Sequence, residues 1–381
     1  MRKYFPLFLI LFLELTGAFT PCNKRYLEFE NPFREICVCT EDVCDDVEEI
    51  QDDDVAVMYT TSMDGDRMTK GSLDSNETAD VTFTLDTSKK EQTIVGFGGA
   101  MTDATAINLN RLSDKLAQQL INSYFGVNGL RYNMIRVPIA SCDFSTRMYS
   151  YLDTPGDFDL NNFTLFDEDT WKITYTRQAM DAASGANQTI NVFAASWSAP
   201  PWMKNNEKMN GGGQLKDGEQ YARAYARYLA RFISEYTSRG VPIWALSVQN
   251  EPSTGAFATH PFQSMYFSPE MERDFIRDFM KPTLLASPDT QATKIIMHDD
   301  FRINLPNYTD VVLGDAEVAK MVDGIAVHWY ADFADPAFLT NTSDKYPDHF
   351  IIGTESVDEN TSRLVYRDAV STRIRHFDTH S

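Results

Sequence analysis

Two glutamates stand where apolar runs stop. Glu251 follows Ile243-Trp244-Ala245-Leu246-Ser247-Val248 through Gln249-Asn250, with Pro252 ending the strand directly behind it, and Glu355 follows Phe350-Ile351-Ile352-Gly353 through Thr354. A carboxylate at the end of a buried strand is held on a rigid element. Two such groups facing each other can cleave a glycosidic bond, one as proton donor and the other as nucleophile. Carboxyls about 5–5.5 Å apart leave no room for a water and lead to retention. If Glu355 is the ionised member, its charge raises the pKa of Glu251 and keeps the proton available; once a glycosyl ester forms, that charge is gone and Glu251 can act as base.

Other apolar runs end in Arg136, Ser196-Trp197, Asp299-Asp300 and His328-Trp329-Tyr330. Sugar sites use this mixture, since aromatic faces stack on pyranose C–H groups while carboxylates and amides bond hydroxyls. His328, beside Trp329, reads as a support of the sugar pocket or as a buried structural histidine. Competing chemistries lack their residues. There is no Gly-x-Ser-x-Gly elbow for a serine hydrolase, and the six histidines show no metal-ligand spacing, so neither metal nor cofactor is expected.

The elements that must position these groups are legible. Short apolar runs occur at Thr93–Gly99, Tyr132–Val137, Ile190–Ala195, Ile243–Val248, Lys294–Met297, Gly324–Val327 and Phe350–Gly353. Amphipathic segments separate them, such as 217–239, whose stripe Tyr221, Tyr225, Tyr228, Leu229, Phe232, Ile233 and Tyr236 reads as core packing and which Gly240 closes. Alternating strand and helix means a parallel sheet, doubly wound or closed as a (β/α)8 TIM barrel. The barrel is favoured: Met101 stands where a dinucleotide fingerprint after Gly96 and Gly98 needs a third glycine, and polar residues collect at strand C-termini, where barrel enzymes place their chemistry. The fourth and seventh strands, which carry the glutamates, lie across such a barrel. Before residue 90, Val81, Phe83 and Leu85 alternate with polar residues and mark a half-buried strand in a β-rich segment.

Composition sets the compartment. The 381 residues carry 34 basic and 55 acidic side chains, a net charge of −21, which argues against nucleic acid as a partner. The sequence pI near 4.6 suits an acidic lumen. Arg2-Lys3, an apolar run from Tyr4 to Leu13 and Thr16-Gly17-Ala18 read as a signal peptide over 1–18; that run is too short to span a bilayer and no later one approaches the roughly 20 residues required. Cys22, Cys37, Cys39 and Cys44 crowd behind it while Cys142 stands alone, a pattern for two local disulfides whose connectivity the spacing leaves open. Asn76, Asn162, Asn187, Asn307, Asn341 and Asn360 head glycosylation tripeptides. The acidic run over 41–54 reads as a solvated loop rather than a calcium site.

Several longer stretches carry a resemblance. Gly96-Phe97-Gly98-Gly99-Ala100-Met101-Thr102-Asp103, Ile135-Arg136-Val137-Pro138, Ala140-Ser141-Cys142-Asp143-Phe144-Ser145, Asn250-Glu251-Pro252-Ser253 and Ala326-Val327-His328-Trp329-Tyr330 together resemble the glucosylceramidase family. The resemblance implies Glu251 as acid/base, Glu355 as nucleophile, glucose contacts at Asp143, Trp197 and Asn250, and disulfides Cys22–Cys37 and Cys39–Cys44; His328 and Tyr330 complete the expected substrate site. It further implies glucosylceramide as substrate, a saposin-type activator and an anionic lipid surface as partners, and the lysosomal lumen or secretion as destination. The expected organisation is a signal peptide (1–18), part of an all-β sandwich (19–90), barrel strands one to seven (91–355) and a divergent tail (356–381). His260 departs from the tyrosine that the family often carries at the lip of the aglycone site. No eighth strand is recognisable in the locally basic tail, so the expectation is a barrel with open edges, poorly stable and with little glucosidase activity. The rival readings are an inactive isoform or paralogue that only binds glycan or lipid, and a relative acting on polysaccharide, such as a β-1,6-glucanase or xylanase.

Overall fold

The computed structural model describes residues 23–26, 35–44, 57–62, 69–71, 81–90 and 92–357, in two units, Met1–Ser88 and Lys89–Ser381. In the first, β1 (Asn23–Tyr26) pairs antiparallel with β2 (Glu35–Val38), and β3 (Met58–Thr60) with β4 (Thr69–Gly71). A disulfide joins Cys39 to Cys44. The alternating segment at Val81, Phe83 and Leu85 corrects the sequence reading: it lies in no strand, and these side chains are 66, 91 and 88% exposed. Alternation makes a half-buried strand only where a neighbour takes the ladder bonds and a second layer covers the apolar side; among the described residues this segment has neither. The expected signal peptide, the implied Cys22–Cys37 pairing, Asn76, Asn360, residues 45–56 of the acidic region and the tail from 358 lie outside the described residues.

The second unit alternates strand and helix. Its strands are β5 (Gly98–Ala100), β6 (Met134–Ile139), β7 (Asn191–Ser196), β8 (Ile243–Ser247), β9 (Lys294–Phe301), β10 (Gly324–His328) and β11 (Phe350–Glu355). All seven pair in parallel, in chain order, as short crossovers through helices require. The helices are α1 (Asp103–Asn110), α2 (Asp114–Phe125), α3 (Asp167–Gly185), α4 (Glu219–Ser238), α5 (Pro269–Phe275), α6 (Lys281–Leu285), α7 (Asn307–Val312), α8 (Ala316–Ala319) and α9 (Ala337–Lys345), with a π-helical turn Ile276–Met280 between α5 and α6. The α4 stripe of Tyr225, Tyr228, Leu229, Phe232, Ile233 and Tyr236 is buried core. Gly240 ends the helix at φ 86°, where Val241 N–H bonds the Tyr236 carbonyl and Gly240 N–H that of Thr237. At Gly98 a β-carbon would overlap the Met134 carbonyl, so only glycine lets β5 lie against β6.

The sheet is curled. In a flat sheet β6 and β11, five strands apart, would be separated by about 24 Å, yet Arg136 on β6 bonds Glu355 on β11 at 2.5 Å. The curl is filled by an inner apolar layer of Met134, Phe193, Ala245, Ile296, Ala326 and Ile352, one from each strand β6 to β11. Residues of opposite facing, such as Val137, Val192, Leu246, Ile295 and Ile325, join the helices in the larger outer core. Both faces are covered, which is why these strands read as continuous apolar runs. No helix among the described residues is long and apolar enough to cross a membrane.

Candidate active site

The polar residues at the strand ends converge on two hubs. Arg136 is 3% exposed. Its Nη1 donates to Glu355 Oε2 at 2.5 Å, and its Nη2 to Asn250 Oδ1 at 2.7 Å and Asp299 Oδ2 at 2.9 Å, while the Trp197 ring lies 4.8 Å from its Cζ. A planar, permanently charged fork suits this task, whereas an ammonium would not hold three groups in one plane. Asp299 is the second hub: it accepts from Ser247 Oγ at 2.6 Å, Thr354 Oγ1 at 2.6 Å and His328 Nε2 at 3.2 Å. Burial works to raise its pKa, but the Arg136 charge and the His328 bond outweigh it and hold the carboxyl well below the usual range.

His328 lies wholly buried under the site, with Nδ1 3.0 Å from Glu251 Oε1. Burial disfavours its charged form, but the charge of Glu355 and the bonds to Asp299 and Glu251 prevail and push its pKa up to about 10. The ring is therefore an imidazolium that donates from both nitrogens.

The two glutamates sit in opposed environments. Glu355 accepts from Tyr330 OH on Oε1 at 2.9 Å and from Arg136 on Oε2. Burial would raise its pKa, yet the His328 and Arg136 charges lower it. Glu251 is raised, first by burial and then by the charges of Glu355 and Asp300, against the pull of His328. One carboxyl oxygen of Glu251, one of Glu355 and a His328 ring nitrogen lie within 4.8 Å of one another. Hydrogen-bond donors already engage these oxygens, so the cluster is wired for proton and charge control. Backbone strain fixes the arrangement: Glu251 adopts φ 43°, a left-handed conformation that costs a non-glycine residue about 1–3 kcal/mol. It is held by Glu251 N–H to the Asp299 carbonyl at 2.9 Å and Ser253 N–H to Asp300 Oδ2 at 2.8 Å.

Above the hubs opens a cavity of about 640 Å³. Asp143, Trp197, Asn250, Glu251, Tyr330 and Glu355, all singled out from the sequence, line it, and His328 supports it from beneath. Asp143 is pushed up to about 7 by burial and by the charges of Glu355 and Glu251, and its Oδ1 is buried without a partner. The sequence reading noted Arg136 and Asp299 as strand ends without assigning them a role; their signal was a charge directly on a buried run. It missed Phe301, the last residue of β9, and Thr254, Phe262, Asp332 and Phe333, which line the cavity from segments following strands; none of them carries a spacing pattern. His260 does lie in the wall. Cys142, a buried free thiol, packs against Trp197 beside the cavity, and Asn162, Asn187, Asn307 and Asn341 are exposed.

Residues 94–371 match the glycosyl hydrolase family 30 TIM-barrel domain. The chain is 42% identical to the lysosomal acid glucosylceramidase of Mus musculus over 358 residues, 91% of this chain and 68% of that protein. Among solved structures, an endo-β1,6-glucanase superposes with TM-score 0.66 at 26% identity, over 77% of this chain and 63% of that one. SrfJ from Salmonella typhimurium superposes with TM-score 0.62 at 29% identity, over 72% and 60%. The chain thus spans about two thirds of the mouse protein and somewhat less of these two structures.

Proposed function

The chain belongs to glycosyl hydrolase family 30, and we propose that it is a retaining β-glucosidase acting on glucosylceramide, with Glu251 as acid/base and Glu355 as nucleophile. One observation carries the reading: two carboxyls with oxygens within 4.8 Å are pushed in opposite directions, Glu251 toward the acid and Glu355 toward the anion. That closeness supports direct attack by one carboxylate, as in retaining enzymes.

In the first step Glu355 attacks the anomeric carbon while Glu251 gives its proton to the departing glycosidic oxygen, releasing the alcohol and leaving a glucosyl ester. With Oε1 held by His328, the proton sits on Oε2. The ester abolishes the Glu355 charge, so the pKa of Glu251 falls and it takes a proton from water, whose oxygen attacks the same carbon and frees Glu355. Arg136 and His328 balance Asp299 and Glu355 in charge, while burial and the neighbouring carboxylates Glu355 and Asp300 favour the protonated form of Glu251. Asp143, Asn250 and Trp197 bind the glucose, and Tyr330 orients Glu355.

The substrate assignment follows the likeness to the mouse glucosylceramidase, and the aromatic lip supports it: Phe262 and Phe333 are 46 and 85% exposed beside the cavity, surface suited to an apolar aglycone. A saposin-type activator and an anionic lipid surface as partners, and an acidic lysosomal lumen as location, belong to the same reading. The likeness to an endo-β1,6-glucanase favours a second reading, cleavage of a β-1,6-glucan. Release of glucose from glucosylceramide dispersed with anionic lipid, with no attack on β-1,6-glucan, is the expected outcome; the reverse pattern would replace the substrate, and inertness toward both would leave a binding protein.

A further inference from the structure

Behind the second hub lies a buried polar cluster that the chemistry above does not use. Ile296 faces the inner apolar layer and Met297 the outer core. Strict alternation would return the His298 side chain to the barrel axis. Instead its ring packs edge-on against Tyr308 of α7, with centroids 5.0 Å apart, and Asp299 takes the inward place on Arg136 and His328. The cause is a β-bulge. The ladder to β10 runs His298↔Ala326 and then Asp300↔Val327, leaving Asp299 as the extra residue, and both His298 (φ 74°) and Asp299 (φ 49°) are left-handed. Two adjacent non-glycine residues keep that conformation only if the surroundings hold them there.

The holding groups are visible. Glu272 on α5, 1% exposed, accepts the His298 backbone N–H on Oε1 at 3.1 Å. His298 Nδ1 lies 3.0 Å from the Ala326 carbonyl, tying the bulge to β10. The helix that carries Glu272 runs straight into the π-helical turn Ile276–Met280, an irregularity that tends to accompany functional positions.

We propose that Glu272 and His298 are positioning residues for hydrolysis, a latch that sets the β9 bulge and through it holds Asp299 against Arg136 and His328. The inference rests on the assignment of Glu251 and Glu355 above. The latch works with Glu272 neutral. Burial, followed by lesser influences that include the charges of Asp299 and Asp300, raises its pKa to about 7 although Tyr308 and the His298 N–H pull it down. Its Oε2 and the His298 Nε2 are buried without partners, and burial lowers the pKa of His298. The titratable groups facing Glu272 are His298, Asp299 and Asp300 from β9 and Tyr308 from α7; on its own helix Glu270, Arg273 and Asp274 are exposed or half-buried. Above about pH 7 a further carboxylate charge appears behind Asp299 and Asp300 and repels them, which outweighs the stronger bond the anion makes to the His298 N–H, and the latch loosens.

The test uses the full chain and two readouts: the pH profile of kcat and KM on a fluorogenic β-glucoside, and the titration of the His328 imidazolium by ¹⁵N NMR. Glu272→Gln keeps an acceptor for the His298 N–H and cannot ionise; Glu272→Leu removes the acceptor. At pH 5 the Gln variant should keep kcat within about twofold of the parent, while the Leu variant loses about tenfold or more in kcat with KM within about twofold. Above pH 7 the Gln variant should exceed the parent. His328 should titrate lower by about 1 or more in the Leu variant and as in the parent in the Gln variant. If the Leu variant fails to fold, His298→Ala, which keeps the N–H and removes the tie to Ala326, must show the same His328 displacement. The NMR arm is independent of turnover, so a parent that hydrolyses no glucoside refutes the functional reading alone. A folded Leu or Ala variant in which His328 titrates as in the parent overturns the latch.

Discussion

Two buried charge clusters of the barrel, one around Lys172 and one around Arg136, differ in the chemistry they can do. Under α3, Lys172 is 0% exposed and its Nζ lies 3.0 Å from Asp103 Oδ1, 3.2 Å from Asp169 Oδ1 and 3.4 Å from the Pro138 carbonyl. Tyr149 and Ser145 donate to Asp103, and Tyr151 and Tyr236 to Asp169. Each of these polar side-chain atoms has a partner. The Arg136 cluster uses similar ingredients but opens into the cavity, leaves Asp143 Oδ1 and Arg136 Nε buried without partners, and divides its carboxyls into one raised and one lowered. A saturated, sealed network fixes a structure. An unsaturated one beside a cavity, with carboxyls pushed apart, stores the protonation states that a reaction consumes.

The comparison breaks first at Glu251. Glu251→Gln should slow substrates with unactivated leaving groups by about 10²–10⁴-fold and change activated aryl glucosides far less, because only the former need a proton. Equal losses on both would move Glu251 into the structural class. Lys172→Met should leave Asp103 and Asp169 as uncompensated buried anions and cost about 3–5 kcal/mol of stability, read as a lower urea midpoint, with the pH profile of the remaining folded enzyme unmoved. Arg136→Met should move that profile. Without the guanidinium Glu355 loses one of the charges that lower its pKa, so the acid limb should shift to higher pH. An unmoved limb would show that Arg136 only braces the fold. The smallest effect concerns the parent itself: a bell-shaped profile with an optimum at roughly pH 4–6, its acid limb set by the lowered Glu355 and its alkaline limb by the raised Glu251. A plateau through pH 8 would contradict the paired assignment.

Much of this was readable without coordinates, for a physical reason. Strands covered on both faces must be apolar throughout, so β6 to β8, β10 and β11 stand out as runs, and a polar residue ending such a run is conspicuous. The same logic fails wherever a side chain is placed by an irregularity. β9 reads as ending at Met297, but its ladder continues through His298, Asp300 and Phe301 with Asp299 bulged out between them. Glu272 sits in a helix whose charged neighbours disguise it as one more surface acid. The Val81–Leu85 alternation carries the period of a strand, while whether it pairs is decided by residues far away in sequence.

The central claim, that Glu355 is the group that bonds to the sugar, is tested most directly by trapping. A 2-fluoro-β-glucoside with an activated leaving group should form a stable glycosyl ester, and peptide mass spectrometry should place the added mass on Glu355 in stoichiometric yield, with Glu355→Gln unlabelled. Labelling on Glu251 or Asp143, or undiminished labelling of the Gln variant, would contradict the account.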